Sequence, residues 1–130
     1  MTQDEIQQII NYAYPKIQAY YGKGELSIPS IELHVDIYAR LSGDPEARGE
    51  ASKSSKAEYD DETNKIYVYY PNVKNEEDLL RSLVHEYTHY RQDHSLFNKY
   101  KQMYSYDEDP TEIEAKKAEE DWYLFSQSGV

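Results

Sequence analysis

The chain contains no cysteine among its 130 residues. A disulfide framework is therefore excluded, and so is a zinc site built from thiolates. Apolar residues make up only 38% of the sequence, and no apolar run approaches the roughly 20 residues that a membrane-spanning helix needs. The 15 tyrosines add packing surface that this percentage undervalues. We therefore expect one domain, over residues 1–130, with a core of its own.

Basic residues are also scarce. Fourteen lysines and arginines stand against 25 aspartates and glutamates, which gives a formal net charge of −11. Nucleic acids and anionic membranes carry phosphate, so this charge disfavours both as partners. The first residues, Met1 to Glu5, are acidic and contain no apolar signal core. We expect a cytoplasmic protein, with leaderless secretion as the alternative.

A short motif provides the first indication of chemistry. Residues 85–89 read His-Glu-Tyr-Thr-His, which is an H-E-x-x-H pattern. Residues four apart lie on the same face of a helix, so His85 and His89 can present two imidazoles to one ion. Neutral imidazoles suit zinc, whereas magnesium and calcium prefer oxygen ligands. Glu86 lies beside the pair without ligating, where it can accept a proton from a metal-activated water.

The surrounding sequence predicts the helix that this motif requires. Asn75 can cap a helix, and acidic residues fill the first turn after it. The apolar side chains then recur at three- and four-residue spacing, at Leu80, Leu83, Val84 and Tyr87. This pattern predicts a helix of about 18 residues, with both histidines and Glu86 to one side of its buried stripe.

The rest of the chain predicts an α+β fold. A capping box between Thr2 and Glu5 begins a helix over residues 3–21, which Pro15 should kink or break. Its apolar face should pack on the sheet. Alternating apolar residues predict strands over residues 30–36 and 65–70. The turn residues 61–64 join the second of these strands to residues 56–60 as a hairpin.

Three other segments carry weaker or more local signals. His34 lies on the polar face of the first strand and is expected to be exposed. The segment from Gly49 to Lys56 fits either a mobile loop or an edge strand. Asp109 as N-cap with Pro110 after it begins a last helix over residues 110–126.

Two histidines leave a catalytic zinc site one protein ligand short. A metzincin-like third histidine is one candidate, but that pattern needs Gly at position 92 and His at position 95. This chain has Gln92 and Ser95, and His94 is displaced by one residue. Carboxylates of the loop at residues 107–109 are a second candidate, and there they should be solvated.

A glutamate of the last helix is the third candidate. Glu112 and Glu114 are two residues apart, so they cannot both face the ion. Ala115 shares a face with Glu112, and its small side chain would let this helix pack closely on the motif helix. These features favour Glu112 as ligand. The alternative role for Glu112 is to close a capping box with Asp109.

The motif, followed by Glu112-Ile-Glu-Ala115 on a later helix, resembles the gluzincin metallopeptidases, and the short chain is most similar to their minimal members, the minigluzincins. The resemblance implies a zincin-like fold, with an N-terminal helix, a small mostly antiparallel sheet, the motif helix and a glutamate-bearing helix. It implies one zinc per chain, held by His85, His89 and Glu112. Many gluzincins carry Asp or Asn at the position of Lys116, where it can hydrogen-bond a zinc-binding histidine. Lysine cannot accept that bond, so another residue must orient a histidine here.

These observations predict a zinc metalloendopeptidase that acts on a peptide or protein, with Glu86 as general base. The alternative is a zinc-binding regulatory or interaction protein of the same fold without peptidase activity. A nearby tyrosine, such as Tyr104 or Tyr106, could stabilise the oxyanion, and the sequence does not choose between them. The acidic balance favours neutral or basic peptides as substrates. The oligomeric state is left open.

Overall fold

A computed structural model describes residues 1–46 and 55–127 of the chain. Within these ranges the α+β class is confirmed. The helices and strands, in chain order, are α1 (Gln3–Tyr21), β1 (Ser30–His34), α2 (Ile37–Ser42), β2 (Ala57–Asp60), β3 (Lys65–Tyr69), α3 (Glu76–Arg91), α4 (His94–Met103) and α5 (Pro110–Ala118). Short 3-10 segments occur at Tyr70–Asn72 and Glu119–Phe125. Most of the segment left open between loop and edge strand, up to residue 54, lies outside the described residues. Among the described residues, no helix is both long enough and apolar enough to cross a membrane.

The three strands form a mixed sheet in the order β1-β3-β2. The predicted hairpin is confirmed, since β2 pairs antiparallel with β3 and Asn64 takes a left-handed conformation in its turn (φ 53°). By contrast, β1 pairs parallel with β3. The expectation of a mostly antiparallel sheet is therefore wrong, because one of the two strand pairs is parallel. A parallel pair needs a long connection, and the chain from residue 35 to residue 64, which includes α2 and β2, provides it.

Helix α1 has the predicted bounds, and both hydrogen bonds of the Thr2–Glu5 capping box are present. The helix runs through Pro15 without a break. Pro15 faces solvent, where water can satisfy the carbonyl that the proline leaves without a donor. The apolar face of α1 packs mainly on α3 and on the final 3-10 segment rather than on the sheet. One such contact is the edge-to-face packing of Tyr14 on Tyr87, with ring centroids 5.9 Å apart.

Helix α3 is the centre of the fold. The Asn75 side chain accepts a hydrogen bond from the Asp78 N–H (2.9 Å), as the capping signal predicts. The stripe of apolar side chains is fully buried, at Leu79, Leu80, Leu83, Val84 and Tyr87. Because α1, β2, α5 and the final 3-10 segment all pack on α3, its position fixes the motif against both the sheet and the last helix.

The short helix α2 was not predicted, and it changes the surroundings of His34. Asp36 caps α2 by accepting from the Ala39 N–H (3.0 Å), a local signal that the sequence does contain. Arg40 of α2 lies over the Tyr67 ring (4.5 Å) and pairs with Glu58 (3.0 Å), which holds α2 on the outer face of the sheet. His34 lies on that face and is only 6% exposed. The expectation that His34 is solvent-exposed is therefore wrong.

The C-terminal region begins as predicted and changes form halfway. The Asp109 carboxylate caps α5 by accepting from the Thr111 N–H (2.9 Å). The α-helix ends at Ala118, and a 3-10 segment replaces its predicted second half. Ala115 and Phe125 are nonetheless buried, and Ala118 and Trp122 pack against the core, so the expected apolar face is retained.

Candidate metal centre

Three side chains from two helices converge on one point. Helix α3 presents His85 and His89 one turn apart, and α5 presents Glu112. The Glu112 Oε1 atom lies 3.0 Å from His85 Nε2 and 3.1 Å from His89 Nε2. The three potential ligand atoms all lie within 4.8 Å of one another. All three residues are buried, with at most 8% of their surface exposed.

The start of α5 explains why Glu112 points at the histidines. Asp109 accepts from both the N–H (2.9 Å) and the hydroxyl (2.6 Å) of Thr111. The Asp109 N–H donates to the Ser105 carbonyl and not to Glu112, so the alternative capping-box role of Glu112 is not formed. Ala115 is fully buried where α5 packs on α3. The small side chain therefore permits the close packing that was inferred from its spacing to Glu112.

The other candidate ligands lie elsewhere. Glu114 is exposed and accepts a hydrogen bond from Gln92 Nε2 (2.7 Å). His94 Nε2 lies 3.2 Å from the Tyr90 carbonyl, away from the cluster. The Asp107 side chain is 88% exposed. Of the alternatives considered from the sequence, Glu112 alone joins the two histidines in the part of the chain that the structure describes.

The outer nitrogen of each histidine is held by a second residue. His85 Nδ1 donates to Glu119 Oε2 (2.7 Å), and His89 Nδ1 lies 2.8 Å from Gln92 Oε1. Such bonds orient a histidine and leave its other nitrogen free to ligate. Lys116 instead lies over the Tyr106 ring (4.8 Å). Glu119 therefore supplies the acceptor that Lys116 cannot, and its position seven residues after Glu112 was the available sequence signal.

Gln92 also connects the two helices. Its Nε2 donates to the Thr111 carbonyl (2.9 Å) and to Glu114 (2.7 Å), both on α5. With both amide hydrogens used there, Oε1 is left to accept the Nδ1 hydrogen of His89. This arrangement keeps a hydrogen on Nδ1, so Nε2 is the nitrogen of His89 that can bind a metal ion. Sequence reasoning saw Gln92 only as a departure from another motif and missed this role.

The electrostatics of the cluster suit a cation. Burial lowers the pKa of His85, but its hydrogen bonds to Glu112 and Glu119 outweigh burial and raise that pKa to about 10. Burial raises the pKa of Glu112, but its bonds to His85 and His89 hold it well below the usual range. The carboxylates thus favour positive charge at His85. A metal cation that binds here takes the place of those protons.

Glu86 lies beside the cluster and outside it. Its Oε1 accepts the backbone N–H of Tyr59 from β2 (2.8 Å), which ties the carboxylate to an edge strand of the sheet. Burial raises the pKa of Glu86, and the nearby rings of His89 and His85 oppose part of that shift. A buried carboxyl with a raised pKa is a better proton acceptor than an exposed one.

A cleft opens beside these groups as two cavities of about 410 and 270 Å³. Both cavities are lined by His85, Glu86 and Tyr106, and by Ala57 of β2. Partial burial and the nearby carboxylates of Glu112 and Glu86 raise the pKa of the Tyr106 hydroxyl to about 12. Like an ordinary tyrosine, Tyr106 keeps its hydroxyl hydrogen at neutral pH and can donate it into the cleft. Tyr104, the other tyrosine considered, lines neither cavity.

The donor set fits a divalent metal ion. Tetrahedral zinc, with bonds of about 2.0–2.1 Å, needs donor atoms roughly 3.3 Å apart. The contacts of Glu112 with the two Nε2 atoms, at 3.0 and 3.1 Å, are close to that spacing. Two imidazoles and one carboxylate, with a cleft on the open side, are also the number and kind of ligands that a catalytic zinc site uses.

Comparisons of the chain with protein-family models, with curated proteins and with solved structures find no match. The chemistry of the cluster and its cleft therefore carries the functional conclusion.

Proposed function

We propose that this chain is a zinc-dependent metalloendopeptidase of the gluzincin kind, with a zincin-like fold. The observation that carries the proposal is the convergence of His85, His89 and Glu112, whose ligand atoms lie within 4.8 Å of one another beside Glu86. The H-E-x-x-H helix, the separate helix that brings the carboxylate and the residues that hold both outer nitrogens support the same function.

The residues of the cleft divide the chemistry between them. Zinc, when bound by the three ligands, would polarise the scissile carbonyl and acidify the attacking water. Glu86 takes the proton from that water and passes it to the leaving amine, and its raised pKa suits both transfers. Tyr106 donates its hydroxyl hydrogen towards the negative charge that develops on the carbonyl oxygen. Glu119 and Gln92 keep the histidines in the orientation that ligates.

The edge strand β2 supports a peptide as the substrate. It lies at one side of the described sheet, and its residue Ala57 lines both cavities of the cleft. An extended peptide can add to such an edge through main-chain hydrogen bonds. A peptide laid along β2 would pass Glu86 and Tyr106, which line the same two cavities.

The first test joins metal content to proteolysis. Protein equilibrated with zinc and freed of excess metal should contain one zinc per chain by elemental analysis. It should degrade an unfolded protein, lose that activity with a chelator and regain it when zinc is restored. A chain that binds no zinc would contradict the whole proposal. A chain that binds one zinc per molecule and cleaves nothing would instead be the alternative, a zinc-binding regulatory or interaction protein.

Replacing Tyr106 by phenylalanine should lower kcat by about 10²-fold, because removing one hydrogen bond to the oxyanion has an effect of that order. Zinc content should be unchanged, since Tyr106 is not among the proposed ligands. Tyr104→Phe is the matched control and should retain full activity, because Tyr104 lines neither cavity. Equal kcat values for the two variants would remove Tyr106 from the mechanism.

A further inference from the structure

The smaller cavity of the cleft has a side wall formed by one face of α4. Phe97 and Lys101 are four residues apart on that helix, so their side chains lie on one face. Phe97 is only 5% exposed, and its ring packs against His89 with centroids 5.0 Å apart. The Lys101 ammonium lies 4.3 Å from the centre of the Phe97 ring. This cation–π contact places a positive charge next to an apolar surface, directly beside a proposed zinc ligand.

The Lys101 charge differs from the other positive charges of the cleft. Lys56 pairs with Asp78 (2.6 Å) and Arg81 pairs with Glu77 (2.8 Å), so carboxylates of the chain neutralise both. Within residues 1–46 and 55–127, Lys101 forms no ion pair.

The carboxylates around the same cavity already have partners of their own. Glu58 pairs with Arg40 (3.0 Å), Glu86 accepts from the Tyr59 N–H (2.8 Å), and Glu112 contacts the two histidines. None of them needs the Lys101 ammonium as a partner. Lys101 is therefore available to a negative charge that enters the cleft with a ligand.

We propose that Lys101, held in place on the buried Phe97 ring, forms a subsite for an acidic side chain of the substrate, next to the bond that is cleaved. The carboxylate of a substrate glutamate would contact the exposed Lys101 ammonium. The proposal rests on the proposed peptidase function and names the class of peptide that the site prefers. It opposes the expectation from overall charge, because the net charge of −11 disfavours acidic peptides at long range.

The local and the long-range effects can be separated with salt and with the position of the charge. Repulsion by the whole chain depends on the net charge of the peptide and is screened beyond about 10 Å at 0.1 M salt. The Lys101 contact depends on where the glutamate stands relative to the cleaved bond. A set of peptides places one glutamate at each position around the cleaved bond in turn, and each peptide is tested at low and at high salt. The salt dependence reports the long-range repulsion, and the dependence on position reports the Lys101 contact.

The experiment compares fluorogenic peptides that differ only by Glu, Gln or Lys at one position. At one position beside the cleaved bond, Glu should exceed Gln in kcat/KM by roughly fivefold, the effect of a modest ion pair. Lys101→Met should abolish that preference, Lys101→Arg should keep it, and Lys101→Glu should shift it towards the Lys peptide. Lys99→Met is the matched control, because Lys99 is an exposed lysine of the same helix that lines neither cavity.

A binding measurement keeps this inference distinct from the peptidase proposal. Fluorescein-labelled forms of the same peptides are titrated with zinc-loaded Glu86→Gln protein, with and without Lys101→Met. Cleavage at equal rates for Glu and Gln at every position would overturn the subsite and leave the peptidase intact. If the Glu peptide binds in a Lys101-dependent way but the wild-type chain does not cleave it, the peptidase proposal is overturned and the acidic subsite remains. If the chain neither cleaves nor binds the peptides, both the subsite and the peptidase proposal are overturned.

Discussion

Replacing Glu86 by glutamine should leave zinc bound and reduce turnover by about 10²-fold or more, because the substitution removes the proposed general base. The glutamine keeps the size of the side chain, and its amide oxygen can still accept the Tyr59 N–H that holds Glu86 in place. The proposed ligands are unchanged. The loss should therefore fall on kcat, with little effect on folding.

The measurement is steady-state cleavage of one peptide, with zinc content and thermal unfolding recorded on the same samples. Glu25→Gln is a suitable control, because it makes the same change in charge at an exposed position that lines neither cavity. Full activity in the Glu86→Gln variant would eliminate Glu86 as the base. A loss of zinc would show that Glu86 holds the metal instead of acting on the water.

Replacing Glu112 by glutamine should weaken zinc binding itself by about 10²-fold or more. Removing a residue that only hydrogen-bonds a metal ligand already lowers metal affinity by up to that factor, and Glu112 is a proposed ligand. Activity should fall with metal content. A 10²-fold weaker affinity removes about 2.7 kcal/mol of the stabilisation that excess zinc provides. The difference in Tm between zinc-loaded and chelator-treated protein should therefore shrink markedly for Glu112→Gln and remain for Glu86→Gln.

Glu114→Gln is the internal control for this prediction. Glu114 is exposed, and a glutamine there can still accept the hydrogen bond from Gln92. Zinc affinity and the zinc-dependent rise in Tm should both stay near the wild-type values. If Glu114→Gln loses zinc while Glu112→Gln retains it, the assignment of the third ligand is wrong.

The parts of the fold that the sequence predicted are those with local causes. The Thr2–Glu5 capping box, the Asn75 cap and the Asp109–Pro110 start each act within one helical turn, and each marks a helix that the structure contains. The hairpin was equally local, because its turn residues lie directly between its two strands.

The parts that the sequence did not predict depend on contacts between distant segments. The parallel pairing of β1 with β3 is decided by the crossover between them, which alternation within a strand does not reveal. His34 is buried because α2 folds over its face of the sheet.

The same distinction applies to the candidate site. His85, Glu86 and His89 lie within about one helical turn, so the H-E-x-x-H spacing predicted them directly. Glu112 was predicted because it shares a helix face with the small residue Ala115. Glu119 and Gln92 act through hydrogen bonds between distant segments, so the spacing of Glu119 from Glu112 acquires a meaning only once the two segments are seen together. Tyr106 could be separated from Tyr104 only by its place in the cleft.

In the proposed reaction, the hydrogen bond between Tyr59 and Glu86 would affect the order in which the two products leave. Main-chain groups alternate between the two sides of a strand, so the outward N–H groups of Ala57 and Tyr59 face the same side of β2. The Tyr59 donor is already used by Glu86, and within residues 1–46 and 55–127 the Ala57 N–H has no hydrogen-bond acceptor. A peptide that docks along β2 would have a main-chain donor at Ala57 and none at Tyr59, so we expect it to be held less firmly on the Tyr59 side of the cleaved bond. After cleavage, the fragment on the Tyr59 side has fewer hydrogen bonds to break, and we expect it to dissociate first.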